Sequence, residues 1–335
     1  MKNKFARNTI ILSAIAFVLI FVPSLLIKLN VIDAYVAGVL TLGGINALMA
    51  LSVNVVCGIT GQLSLGQAGF QALGAYSVVL LTSNLGLPLP LSILLAGLIA
   101  AFFGFLIGFP TLKLEGDYLA IVTLAFCEII KVVLINLKNI TGGPNGKQFS
   151  TILTDSLEWG PSLSYFTVIS VLVLVVVLLQ NFIRSTYGRA IIAVREDEVA
   201  ANSSGISVFK YKMTGFVIAS FIGGIGGALY APVLGFIKPN VFDFNSSIND
   251  LIYVVFGGMG SVTGSILSAF VLTALQEGLR FLKDYRYLVY PVILIIMMIF
   301  RPQGLLGTKE LSFIKTFDWL CLKLKKNKTK NGGKE

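Results

Sequence analysis

The chain has 335 residues, of which 56% are hydrophobic and only 13% charged, about half the charged share of an ordinary soluble domain. That composition excludes a water-soluble globular protein. A net charge of +10 comes without a nucleic-acid-binding motif, and three scattered cysteines with no histidine leave neither a disulfide framework nor a zinc site.

Apolar runs long enough to cross a hydrocarbon core of about 30 Å as helices recur along the whole chain. Ten are predicted, over 9–27, 34–56, 66–83, 90–109, 118–136, 165–183, 212–232, 247–260, 264–281 and 286–300. The expected class is an all-α polytopic membrane protein of about ten transmembrane helices. The first run follows Lys2, Lys4 and Arg7 as a secretory signal would. It ends in Pro23 and Leu25–Ile27 with no small-x-small cleavage pattern, so it is read as a retained helix.

The second and third runs are joined by Gly58–Tyr76, GITGQLSLGQAGFQALGAY, which crowds glycines and amides where lipid should be. Lipid cannot solvate broken backbone, so such a segment survives only buried in protein or lining a wet cavity. A discontinuous helix is expected here. Gln62, Ser64 and Gln67 are its pathway candidates, since neutral dipoles can satisfy a zwitterion or water without trapping it; the same amides would also serve simply to cap broken helices.

In the fourth run Ala96, Ala100, Gly104 and Gly108 recur every four residues, a small-residue stripe for close helix approach. Glu128 and Lys131 stand mid-span in the fifth, three apart on one helical face, where a lone charge would cost about 2.5–3.5 kcal/mol. They are expected to pair, either as a structural link or with a role in passage or gating. The loop 137–164 that follows contains TGGPNGKQ, Thr141–Gln148. Thr141 replaces the first glycine of a phosphate loop and Gln148 its Ser/Thr, so this is a fixed turn and not a nucleotide site.

The loop 184–211 contains GRAIIAVREDEVAANSSGI, in which Gly188, Arg189, Arg195, Glu196, Asp197 and Glu198 surround short apolar runs. An amphipathic helix outside the bilayer is expected, serving as a solvated connector or as a peg offering Ala193, Val194, Val199 and Ala200 to a partner. In the seventh run Gly215, Ala219, Gly223, Gly227 and Ala231 repeat every four residues, for packing within the chain or at a subunit interface. Gly257, Gly258, Gly260 and Gly264 crowd the next junction, which fits two spans or one broken hairpin. Asp250, Glu277 and Arg280 are read as structural charges near span ends that reach the interface. Phe300–Gly307, FRPQGLLG, marks a helix stop at Arg301 and Pro302.

The basic residues orient the chain. Lys2, Lys4, Arg7, Lys113, Arg184, Arg189, Arg195, Lys210, Lys212 and nine Lys and Arg from Arg301 onward fall on one side if both termini are cytoplasmic. The basic tail 309–335 would be solvated or touch anionic membrane lipid, and residues 1–308 would form the permease domain.

Six segments in order carry a resemblance: GITGQLSLGQAGFQALGAY, GDYLAIVTLAFCEIIKVV, TGGPNG, GRAIIAVREDEVAANSSGI, FGGMGSVTGSILSA and FRPQGLLG. Together they resemble the LivM-type permeases of branched-chain amino-acid ABC importers. The resemblance implies a multi-pass subunit of the bacterial cytoplasmic (inner) membrane. It implies pairing with a second permease, two cytoplasmic ATP-binding subunits and a periplasmic or lipid-anchored binding protein. The chain would then be no enzyme and need no cofactor; it carries no phosphate loop of its own. Importer permeases have a coupling loop with an E-A-A-x-x-x-G pattern, and aligning on Gly205 puts Val199, Ala200 and Ala201 at its start, with Glu198 one residue early. Leucine, isoleucine and valine are the implied substrates. Permeases for urea and short amides are similar, and an ion-coupled secondary transporter would also use broken helices and intramembrane charges.

Overall fold

The structure is a computed structural model describing residues 17–114, 116–149, 160–301, 304, 305 and 307. The basic N-terminal residues, the first half of the first predicted run, residues 150–159 of the loop 137–164, Pro302 and the tail 309–335 lie outside the described residues.

Helices occupy every predicted run: α1 (Phe17–Lys28), α2 (Ala34–Val53), α3 (Gln67–Ser83), α4 (Leu89–Thr111), α5 (Asp117–Asn136) and, after the short α6 (Lys138–Thr141), α7 (Gly160–Arg184). Two short helices follow, α8 (Thr186–Glu196) and α9 (Glu198–Ser203), then α10 (Val208–Leu234), α11 (Phe244–Gly257), α12 (Val262–Gly278) and α13 (Arg286–Phe300). Among the described residues six helices are long and apolar enough to cross a membrane, and α3, α11 and α13 are shorter. The all-α expectation has one exception. β1 (Lys147–Gln148) and β2 (Phe236–Ile237) pair antiparallel, Lys147 opposite Ile237 and Gln148 opposite Phe236.

The bundle has two ends, one carrying α8 and α9 and the other the β1–β2 ladder. Close approach through small residues builds its centre, as packing without a hydrophobic driving force between helices requires. A Cβ on Gly227 would stand 1.9 Å from the Gln71 carbonyl oxygen, and one on Gly74 2.0 Å from that of Gly224. Gly104 lies against the Ser220 side chain and Gly224 against the Gly97 and Ala96 backbone, so α10 packs closely on both α3 and α4.

Two helices begin inside this bundle. α2 widens at its end into a π-helical turn, Asn54–Ile59, and the chain then runs without regular structure through 60–66 before α3 starts. Thr60 lies against Gly215 and the Gln67 side chain against Gly223, eight residues and about 12 Å farther along α10. α3 therefore opens at mid-depth and runs to the ladder end. α10 also ends in an irregular stretch, 235–243, before α11 starts beside α3, with Ala68 N–H donating to Ser247 Oγ at 3.2 Å. α11 runs the opposite way, to Gly257 at the α8 end. The order full helix, irregular stretch, half-helix, full helix thus occurs twice in opposite directions, and α2 packs on α12 as α10 packs on α4. This is the arrangement of an inverted repeat.

The junction after α11 is a turn between two helices. Gly258 and Gly260 take φ of +105° and +88°, which only glycine adopts without strain. The segment after α13 is more than a helix stop: Leu305 N–H donates to the Phe256 carbonyl at 2.7 Å, and Gly304 lies against Gly258, strapping this turn.

Candidate functional site

Gln62 and Ser64 lie in the stretch 60–66, and Gln67 opens α3. Gln62, Ser64 and Gly66 turn into the protein, while Gly61 and Leu63 are exposed. Gln62 is 5% exposed with both amide atoms unpartnered, and Gln67 is 1% exposed with Nε2 unpartnered. The Ser52 hydroxyl lies 2.9 Å from Gln67 Oε1 and 2.7 Å from the Ala219 carbonyl, one proton for two acceptors. Backbone donors are held: Thr60 N–H by the Val55 carbonyl, Gln62 N–H by Val56, and Leu65 N–H by Thr123 Oγ1 on α5 at 3.1 Å.

Glu128 and Lys131 pair at 2.5 Å, half-buried on the flank of an α5 face whose other residues, Ile121, Ile129 and Val132, are exposed and apolar. Each charge makes the other tolerable. Glu128→Gln alone and Lys131→Gln alone are expected to lower the melting midpoint of the purified protein more than the double substitution does. Additive losses would show that the two charges are not coupled.

The loop 184–211 folds as two helices because Asp197 interrupts it. Its Oδ1 accepts from Val199 N–H and Ala200 N–H, both at 2.9 Å, capping α9. Ser185 caps α8 by accepting from Gly188 N–H, and Gly205, at φ +81°, ends α9 in the left-handed conformation. Ile191 and Val194 on α8 and Ala201 on α9 are buried against the bundle; Arg189, Ala193, Ala200 and Val199, the last 81% exposed, face outward. Glu198 reaches Lys212 at 2.5 Å.

Arg195 joins this loop to the bundle. Its Nη1 donates to the Gly58 carbonyl at 2.6 Å, its other nitrogens bind Glu196, and its stem covers Gly61. A cation here also faces the negative end of the α2 dipole. Gly260 abuts the same guanidinium. Asn54, fully buried in the π-helical turn, clamps that loop, with Nδ2 donating to the Ser261 carbonyl at 3.1 Å and Oδ1 accepting from Gly260 N–H at 2.8 Å. One side chain of α8 thus touches the segments that lead into α3 and out of α11.

Sequence reasoning missed Asp250. It is 4% exposed, so the reading of a charge that reaches the interface is corrected: α11 is a half-helix, and this position lies within the bundle. Its Oδ2 has no partner, and among the described residues no lysine or arginine pairs with it. Nearby, Asn46 Nδ2 donates to Thr273 Oγ1 at 2.9 Å and to Tyr253 Oη at 3.4 Å. On another side of α11 a cavity of about 650 Å3 is lined by Asn245, Asn249, Gln276, Glu277 and Tyr290. Glu277 and Arg280, read as structural charges near a span end, pair with each other at 2.8 Å.

A discontinuous bundle with two opposed half-helices and a loop helix wired to both is a transporter's geometry, and residues 35–299 match the branched-chain amino acid transport system permease component family. The chain belongs to that permease family. The high-affinity branched-chain amino acid transport system permease protein LivM of Escherichia coli (strain K12) is 40% identical over 291 residues, covering 79% of this chain and 68% of that one. The probable branched-chain amino acid transport permease protein LivM of Methanocaldococcus jannaschii is 26% identical over 239 residues, 65% of this chain and 69% of its own. LivH of Escherichia coli (strain K12) is 24% identical over 290 residues, 81% of this chain and 94% of its own. No solved structure matches the chain. The permease family match covers both half-helices, the α8–α9 loop and Asp250.

Proposed function

We propose that this permease is the transmembrane subunit of an ATP-driven ABC importer, carrying leucine, isoleucine and valine across the bacterial cytoplasmic membrane by alternating access. The chain crosses ten times with both termini and the α8–α9 loop in the cytoplasm, residues 1–308 forming the permease and 309–335 a basic tail. It pairs with a second permease, rests on two ATP-binding subunits that do the hydrolysis, and receives substrate from a periplasmic or lipid-anchored binding protein.

The observation that carries this reading is the Arg195 junction. α8, followed by α9 with Val199 and Ala200 exposed, is bonded through Arg195 to the carbonyl at the end of α2 and abuts the loop after α11. Displacement of α8 by closing ATPases would move both half-helices together, a lever acting on a bistable bundle. Gln62, Ser64, Gln67, Glu128 and Lys131 are the proposed pathway residues. Gly188, Arg189, Arg195, Glu196, Asp197, Glu198, Ala200, Ala201 and Gly205 form the coupling loop, and Gly215, Ala219, Gly223 and Gly227 the packing stripe on which α10 turns.

The test is mild-detergent purification of the tagged chain from its native membrane, with mass spectrometry of what stays bound. Two ATPases and a second permease are expected. A chain that emerges alone under several gentle conditions, with uptake abolished by a protonophore, would replace this reading with ion-coupled secondary transport.

A further inference from the structure

The α3–α11 contact joins two groups of opposite electrical character at one depth. α3 opens on Gly66 with no side-chain cap of its own, and its Ala68 N–H is held by Ser247 Oγ of α11. An uncapped helix start carries a positive partial charge of about half a unit. α11 is different: Asp243 caps it, Oδ1 accepting from Ser246 N–H at 3.0 Å, so its own first turn is satisfied. Three residues past Ser247, on the same face and about 4.5 Å farther along the axis, stands the buried Asp250 carboxylate with Oδ2 unpartnered. At the start of α3 stands Gln67, fully buried, with its Nε2 donor also unpartnered. Buried polar atoms without partners are rare, because each costs its full desolvation. Here a lone donor at a positive helix end and a lone acceptor on a carboxylate occur within one turn of the same contact. A donor at a positive helix end and a carboxylate acceptor are the chemical complements of the carboxylate and the ammonium of an α-amino acid.

We propose that the head group of a zwitterionic amino acid binds between α3 and α11 at mid-depth, its carboxylate on the α3 N-terminus and the Gln67 amide, its ammonium on Asp250. This deepens the importer reading and rests on it. The site is closed here, with Gln67, Ser247 and Asp250 all buried. Entry requires the Ala68–Ser247 bond to open and α3 and α11 to part. The stretch 60–66, without regular structure, leads into α3, whereas 235–243, which leads into α11, is held by the β1–β2 ladder and by buried Phe242. Ser247 is the latch, because its hydroxyl holds the N–H that the substrate carboxylate would take.

The experiment uses the purified complex without binding protein and reads the ligand-induced rise in melting midpoint against L-leucine, leucinamide (ammonium without carboxylate) and 4-methyl-2-oxopentanoate (carboxylate without ammonium). The wild type is expected to bind leucine at least about tenfold more tightly than either analogue, since each leaves one buried group unmatched. Asp250→Asn should erase the preference for leucine over the oxo acid and keep that over leucinamide, whereas Gln67→Ala should do the reverse. Leucine binding unchanged within twofold in Asp250→Asn that elutes as intact complex would overturn the site, as would equal weakening of all three ligands. No response of the wild type to any of them would also overturn it, while the importer reading would still be judged separately by ATP-dependent leucine uptake in vesicles.

Discussion

Arg195→Ala is expected to cut uptake at least about tenfold in reconstituted vesicles while ATP hydrolysis by the assembled complex continues. A hydrogen bond from a charged donor contributes about 1.5–3 kcal/mol, and the lower end applies because the side chain is one-third exposed, which still corresponds to about a factor of ten. The loss has a direction. Without the guanidinium the Gly58 carbonyl is released and α8 keeps its packing through Ile191, Val194 and the Tyr187–Tyr211 ring contact, so the helix can move without carrying the α2 end and the Gly260 loop. Arg195→Lys should retain part of the coupling, because an ammonium can reach one carbonyl but cannot also hold Glu196 with a planar fork. Glu196→Gln should be mild, since that carboxylate is mostly exposed. Uptake and hydrolysis falling in equal proportion in Arg195→Ala would show that the residue supports assembly and does not transmit motion.

The second large effect concerns the backbone contacts around α10. Gly227→Ala and Gly74→Ala are each expected to lower the melting midpoint sharply and to reduce the yield of monodisperse protein. Each new methyl would fall about 2 Å from a carbonyl oxygen that belongs to a neighbouring helix and cannot swing aside. Overpacking of this kind costs about 1–3 kcal/mol where side chains can adjust, and more where only backbones meet. Gly38→Ala is the control: the same chemistry in α2, with nothing within 4 Å of the added carbon. It should be neutral or slightly stabilising, because alanine is the better helix former. If all three variants melted together, the close approach of α3 and α10 would not be what holds the bundle.

Helix positions were legible from hydropathy because the need to satisfy every backbone group inside an apolar segment is local, and each predicted run holds a helix. The break between α2 and α3 was legible for the same reason: glycines and amides in 58–76 cannot continue a lipid-facing helix. Charge flagged Arg195, but its partners were invisible, since Gly58 lies 137 residues away in sequence. Asp197 looked like one more charge in a loop; its capping of α9 depends on backbone geometry that splits the predicted single helix in two.

The sequence by itself determined the class, the helical segments and the place of the broken helix, because composition and local backbone satisfaction govern these, while its six ordered motifs carried the family resemblance. Tertiary structure alone decided the depth at which α3 and α11 begin, the inward turn of Gln62, Ser64 and Gln67, and the burial of Asp250. A half-helix has the same hydropathy whichever level it starts from, and whether its polar residues face protein, water or lipid is set by neighbours brought together from distant parts of the chain.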